Sequence, residues 1–234
     1  MKFSPGLILT FFRHTAKLRA EPTCKAKVDV GFILDSSGSL RTDYGKEKDF
    51  LKALVAGFGI SSAGGRAGVV TFSYHSEHSI KLNDHTDLNS FYEAVDNIAL
   101  MGSTTRIDKA LRTTQAEMFA IGNGGRPGAA KLLILLTDGS QTQDSGAEDP
   151  SVVAEELRQE GIRLLVVGIG KGVNTTELAR IGGRKSNVFS ASSFDELLTR
   201  DFLKDVNSAG CQAGLLIFIL LSILYVFALY SPLR

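Results

Sequence analysis

The chain has 234 residues, 44% of them hydrophobic and 22% charged, the balance of an ordinary globular protein with room for one sizeable domain. Its formal net charge is +1 with no long basic run, which excludes a nucleic-acid footprint built on clustered Lys and Arg. A core of this size needs no metal or disulfide staple to fold.

At the N-terminus, Lys2 precedes an apolar run from Phe3 to Phe12, broken by Pro5 and Gly6. Residues 1–20 read as a signal peptide with Ala20 before the cleavage point, although Arg13, His14, Lys17 and Arg19 intervene. Cys24 follows, and its only counterpart is Cys211. The two bracket the soluble part. They are either two free thiols or a pair, and an oxidising compartment permits the pair.

Between the cysteines, strand and helix patterns alternate. Val28–Leu34 is an apolar run ending in a turn-rich loop, as a buried strand does. Tyr44–Phe58 carries Phe50, Leu51, Leu54 and Val55 at helical spacing. Strands are predicted at Arg66–Phe72 and, as an edge, His78–Leu82. Helices follow at Leu88–Ile98 and Ile107–Ile121, and Gly122–Gly128 reads as a solvated loop. Lys131–Thr137 is the most apolar strand. Val152–Glu160 is a helix with Asp149 or Ser151 as cap and Pro150 at its start. Ile162–Ile169 is a strand, Thr176–Ile181 a short helix, Asn187–Phe189 a last strand, and Ser193–Val206 a closing helix. This alternation predicts an α/β fold: a doubly wound, mostly parallel six-stranded sheet with helices on both faces.

After Cys211 no charged residue occurs from Ala213 to Tyr230. Residues 213–230 span about 27 Å as a helix, enough for a bilayer core, and are read as a transmembrane helix with the short tail 231–234. The rival is a removed lipid-anchor signal, with Ser208, Ala209 and Gly210 as its small residues. Leu215 follows Gly210 too closely for the usual spacer of about 8–12 residues. Asn174-Thr175-Thr176 is a glycosylation sequon.

Ligands in such sheets bind beyond the C-terminal strand ends. Two predicted strands end there in an aspartate followed by small residues: Asp35-Ser36-Ser37-Gly38-Ser39 and Thr137-Asp138-Gly139-Ser140. Gly102-Ser103-Thr104-Thr105 precedes the third helix. Hydroxyls and two carboxylates are hard donors, which select Mg²⁺, Ca²⁺ or Mn²⁺ rather than zinc or copper. An ion held mostly by hydroxyls stays electron-poor and takes an acidic side chain of another protein as its last ligand. Without the ion, Asp35 and Asp138 repel that partner.

Val28–Ser39 resembles the opening of a von Willebrand factor type A domain, whose DxSxS element is a metal-ion-dependent adhesion site. Leu136–Gly139 is similar to that family's second acidic loop and Gly102–Leu111 to its threonine loop. The resemblance covers residues 26 to 206. It implies metal ligation by Asp35, Ser37, Ser39, Thr105 and Asp138, with Thr104 as a substitute for Thr105 because Ile107 stands where the family often has a second threonine. It implies Mg²⁺ foremost, with Mn²⁺ or Ca²⁺ possible. The domain would span 24–211, with Cys24 and Cys211 disulfide-bonded as in some secreted members. Expected partners are a matrix protein such as collagen or a cell-surface receptor, with the domain outside the cell membrane. A metal-independent matrix-assembly module is the alternative.

Enzyme motifs are lacking. Gly168-Ile169-Gly170-Lys171-Gly172 lacks nucleotide-loop spacing and reads as a strand-to-helix turn. No GxSxG elbow occurs. His75, Glu77, His78 and His85 suggest zinc only weakly and are expected in a solvated hairpin loop. No small-molecule substrate is implied.

Overall fold

The computed structural model describes Cys24 and residues 27–212. The expected signal peptide at 1–20, the apolar segment 213–230 and the tail 231–234 lie outside the described residues. Among the described residues no helix is long and apolar enough to cross a membrane.

Six strands form one sheet: β1 (Val28–Asp35), β2 (Arg66–Phe72), β3 (Ser76–Ile80), β4 (Ala130–Thr137), β5 (Ile162–Ile169) and β6 (Val188–Ala191). Their order is β3-β2-β1-β4-β5-β6. All neighbours are parallel except β2 and β3, which form an antiparallel hairpin. The winding therefore reverses between β1 and β4, and a crevice opens beyond their C-terminal ends.

The helices are α1 (Tyr44–Ala56), α2 (Leu88–Asp96), α3 (Ile107–Thr113), α4 (Pro150–Gln159), α5 (Thr175–Gly182) and α6 (Phe194–Leu197). A further helix, α7, covers residues 200–212. Every residue of β1 is buried, and alternate side chains serve opposite faces. Val30, Phe32 and Leu34 pack with Phe50, Leu54, Phe91 and Val206, from α1, α2 and α7. Ile33 packs with Ile107, Leu111, Val153, Leu157 and Ile181, from α3, α4 and α5.

Three predicted elements differ. The helix over 107–121 is α-helical only to Thr113, and Thr114–Met118 form a π turn. Thr114 Oγ1 donates to the Ala110 carbonyl at 2.9 Å, competing with the backbone ladder. The wider turn sets Met118 into a notch of two glycines. A Cβ at Gly31 would lie 2.9 Å from Met118 Cγ, and one at Gly68 2.8 Å from its Sδ. The loop 122–128 is not wholly solvated: Gly124 and Gly125 are buried, and Arg126 Nε donates to buried Asp29 at 2.8 Å. The closing helix over 193–206 breaks into α6 and α7, because Thr199 turns its hydroxyl onto the Glu196 carbonyl at 2.8 Å.

Cys24 and Cys211 are disulfide-bonded, with Cα atoms 5.1 Å apart across 187 positions. The bond fastens the end of α7 beside the start of β1. There α7 lies close on the sheet: a Cβ at Gly210 would meet Leu132 Cδ2 at 2.9 Å. This is the end of the domain opposite the crevice.

Candidate metal centre

β1 delivers Asp35, fully buried, to the floor of the crevice. Its two oxygens are each held by one donor. The Ser37 backbone N–H donates to Oδ1 at 2.9 Å, and Thr137 Oγ1 at the end of adjacent β4 donates to Oδ2 at 2.7 Å. Each oxygen keeps a lone pair for an ion or its water. Just past the end of β4, Asp138 accepts from Ser39 Oγ at 2.8 Å, and the Ser37 and Ser39 hydroxyls stand 3.1 Å apart. Asp35, Ser37, Ser39 and Asp138 thus form one chain of oxygen atoms.

The third loop is stitched to the first. Gly102 N–H donates to the Ser36 carbonyl at 2.8 Å, and Gly38 N–H to the Ser103 carbonyl at 2.9 Å. Met101 N–H donates to Ser36 Oγ at 2.7 Å. The turn needs left-handed backbone at Gly102 and at Ser103, whose φ is 79° and which pays for that strain with these bonds. Thr105 exchanges two bonds with Thr142 of the second acidic loop, 3.1 Å to its hydroxyl and 2.8 Å from its N–H. A Cβ at Gly139 would come within 3.3 Å of Thr105 Oγ1, so glycine lets these loops close. Thr105 is buried at the edge of the oxygen chain, whereas Thr104 is exposed.

The site is electronegative. Burial pushes the Asp35 carboxyl up to about 6; the Thr137 and Ser37 hydrogen bonds pull the other way, and the charge of Asp138 adds to the rise. Burial also raises Asp138, against the Ser39 hydrogen bond. On α1, Glu47 is wholly buried and neither carboxyl oxygen has a hydrogen-bond partner. Burial, then the charges of Asp35 and Asp138, hold it well above the carboxylate range. None of these three acids is ion-paired among the described residues. Sequence reasoning missed Glu47, although it sits one turn before Phe50 and Leu51 on the apolar face of α1, where a carboxylate has no structural reason to be. Ser36 and Thr137, whose side chains hold the threonine loop and Asp35, were not singled out in the sequence either.

Among the described residues, no three His, Cys, Asp or Glu side chains group as a metal site. An ion here therefore takes hydroxyl oxygens beside carboxylates, and the set present fits a hard divalent cation. His75 is exposed in the turn between β2 and β3, as expected; the expectation needs correction for His78. His78 does not lie in a solvated loop but on β3, its side chain buried 3.5 Å from Glu117. Burial lowers its basicity, with Glu117 opposing. Gly168–Gly172 closes β5 and leads to α5, as a turn.

Behind Thr105, Arg106 is buried and grips Asp108 with two bonds of 2.8 and 2.6 Å and Asp144 with one of 2.7 Å. Gln141 Nε2 donates to Asp108 at 2.7 Å and its Oε1 accepts the Asp108 N–H at 3.1 Å. Threonine loop and second acidic loop are thereby locked together. Burial alone would raise Asp108, but Arg106, the Glu148 N–H and Gln141 outweigh it and bring it to about 2. A carboxyl depressed on folding adds stability above its unfolded value, about 3.9, and loses it as pH falls through the folded value. Urea midpoints should therefore drop between pH 4 and 2, and Asp108→Asn should flatten that drop. An unchanged pH profile in the variant would show that Asp108 is not the group responsible.

A family model described as the von Willebrand factor type A domain matches residues 29–205. The human collagen alpha-6(VI) chain is 38% identical over 179 residues, covering 76% of this chain and 8% of that protein. The chain therefore spans a small part of the curated relative's length. Proximal thread matrix protein 1 from the mussel byssus superposes with a TM-score of 0.75 at 30% identity, over 80% of this chain and 49% of that one. A second structure of that protein, described as having a zinc-occupied MIDAS motif, gives a TM-score of 0.71 at 27% identity, over 81% and 47% of the two chains.

Proposed function

The chain belongs to the von Willebrand factor type A domain family, and from that premise we propose an extracellular, non-catalytic binding module that engages a protein partner through a divalent cation at the Asp35–Asp138 crevice. The observation that carries this reading is the oxygen chain. The Ser37 backbone N–H holds Asp35 and the Ser37 and Ser39 hydroxyls lead from there to Asp138, while buried acids go without a basic partner. A cation relieves that repulsion, and the hydroxyls leave it electron-poor. An acidic side chain of the partner then completes its shell. Asp35, Ser37, Ser39, Thr105 and Asp138 are the proposed ligands, direct or through water.

Mg²⁺ is the proposed ion, with Mn²⁺ or Ca²⁺ as substitutes. Oxygen donors alone do not bar zinc, which accepts carboxylate oxygen, and the mussel byssus protein is described with zinc in its MIDAS motif. The expectation that such donors turn zinc away is therefore dropped. The partner is proposed to be a matrix protein, collagen among them, or a cell-surface receptor, in keeping with the collagen VI relative. Anchoring at the cell membrane through residues 213–230, as a single span or a replaced lipid-anchor signal, is part of the proposal. Alkaline carbonate extraction tests it: a chain released with peripheral proteins is not a span, and release by a phosphoinositide-specific phospholipase indicates the lipid anchor.

Pull-down from matrix extracts in Mg²⁺ against chelator tests the binding mode. Retention in Mg²⁺ and loss in chelator is expected. Equal retention makes the domain a metal-independent assembly module. Thr137→Val keeps the side chain's shape but removes the donor to Asp35 Oδ2. Calorimetric titration should show metal affinity about 10–100-fold weaker, the usual cost of an outer-shell partner. Unchanged affinity would place the ion away from Asp35.

A further inference from the structure

The sequence holds one Asn-X-Ser/Thr sequon, Asn174-Thr175-Thr176. Asn174 is exposed in the loop between β5 and α5, with extended backbone at φ −90° and ψ 100°. Its Oδ1 caps α5 by accepting the Thr176 N–H at 3.1 Å and the Glu177 N–H at 3.2 Å. No hydrogen bond among the described residues engages its amide nitrogen. The same loop touches the metal crevice. Ser140 Oγ donates to the Gly172 carbonyl at 3.3 Å, and a Cβ at Gly172 would stand 2.5 Å from the Asp138 carbonyl oxygen.

We propose that Asn174 carries an N-linked glycan whose first sugars stand on the rim of the metal crevice beside Asp138; the placement at a metal rests on the function proposed above. In the transfer, Asn174 Nδ2 attacks the anomeric carbon of an oligosaccharide carried on a lipid pyrophosphate. A C–N bond forms, the C–O bond to the pyrophosphate breaks, the lipid pyrophosphate leaves, and Nδ2 loses one proton. The cap survives, because Oδ1 and not Nδ2 makes it. The glycan then crowds the β5 side of the crevice. Tyr74 and Met101, both substantially exposed on loops of the opposite side, remain open to a partner.

Translation of the full chain with endoplasmic-reticulum microsomes tests the modification. A mobility shift removed by endoglycosidase H is expected, retained in Thr176→Ser and lost in Thr176→Ala. Thr176→Ala leaves the Asn174 cap intact, so its folding is not at issue. No shift, or a shift that persists in Thr176→Ala, overturns the proposal. Placement is read by NMR on the glycoprotein with a ¹³C-labelled glycan. Added Mn²⁺ should broaden the innermost sugars together with the Ser39 amide, and Asp138→Ala should abolish both effects. A broadened Ser39 with sharp sugars overturns the rim position. If neither broadens, the metal reading fails, and the glycan is judged by the microsome result.

Discussion

Asp138→Ala is expected to abolish metal-dependent binding while leaving the domain folded. The side chain lies past the end of β4, and its hydrogen bond is to Ser39 within the crevice. It fills no part of either core. Burial raises its carboxyl, so the charged form is disfavoured in the folded state. For a carboxyl raised on folding, stability is full below the unfolded value and is lost as pH rises through the folded one. At neutral pH the native Asp138 therefore costs stability in the ion-free domain, and alanine removes that cost. Circular dichroism and thermal melts in chelator should show a variant no less stable than its parent. Adding Mg²⁺ should raise the parent's melting temperature and leave the variant's unchanged. A variant that loses its folded signal would make Asp138 a structural residue and remove the main support for a metal crevice.

Replacing both Cys24 and Cys211 by serine is expected to give the largest loss of stability from any change outside the core. Closing a loop of 187 positions restricts the unfolded chain by up to about 5 kcal/mol in the entropic account. Against a typical stability of about 5–15 kcal/mol, that is a large share. Urea unfolding of the parent and the double variant should show a much lower midpoint in the variant. Reductant should move the parent toward it and leave the variant alone. Coincident midpoints would mean that α7 is held by its packing on Leu132 and Phe58 without help.

Much of this was legible in the sequence, for identifiable reasons. β1, β4 and β5 are buried on both faces, so each holds consecutive apolar residues, Gly31–Leu34, Leu132–Leu136 and Leu164–Ile169, where an amphipathic helix would alternate. Asp35 and Asp138 stand out because each ends such a run, where the chain leaves the core. Features that depend on contacts distant in sequence were not legible. The π turn at 114–118 answers to glycines on two other strands, and nothing near Thr114 announces them. The break before α7 is local, one threonine hydroxyl on the carbonyl three residues earlier, but such a bond is also compatible with continuous helix. Glu47 carried a local signal, a carboxylate in an apolar stripe. Its meaning came only when the fold set it behind Asp35.

The position of the disulfide also decides how the domain meets mechanical load. A pull applied to the chain on either side of Cys24 and Cys211 passes from one sulfur to the other. The sheet between them is a side branch off that line and carries no tension. Strands β1 to β6 need not slide and α7 need not peel for the chain to be drawn taut. Traction reaches the fold only from the far end, through a partner gripping the crevice. It then runs down β1, the strand that leads from Asp35 back toward Cys24, and this strand is hydrogen-bonded along both edges to β2 and β4. Such a pull shears parallel ladders lengthwise, loading many bonds at once, instead of unzipping them one at a time.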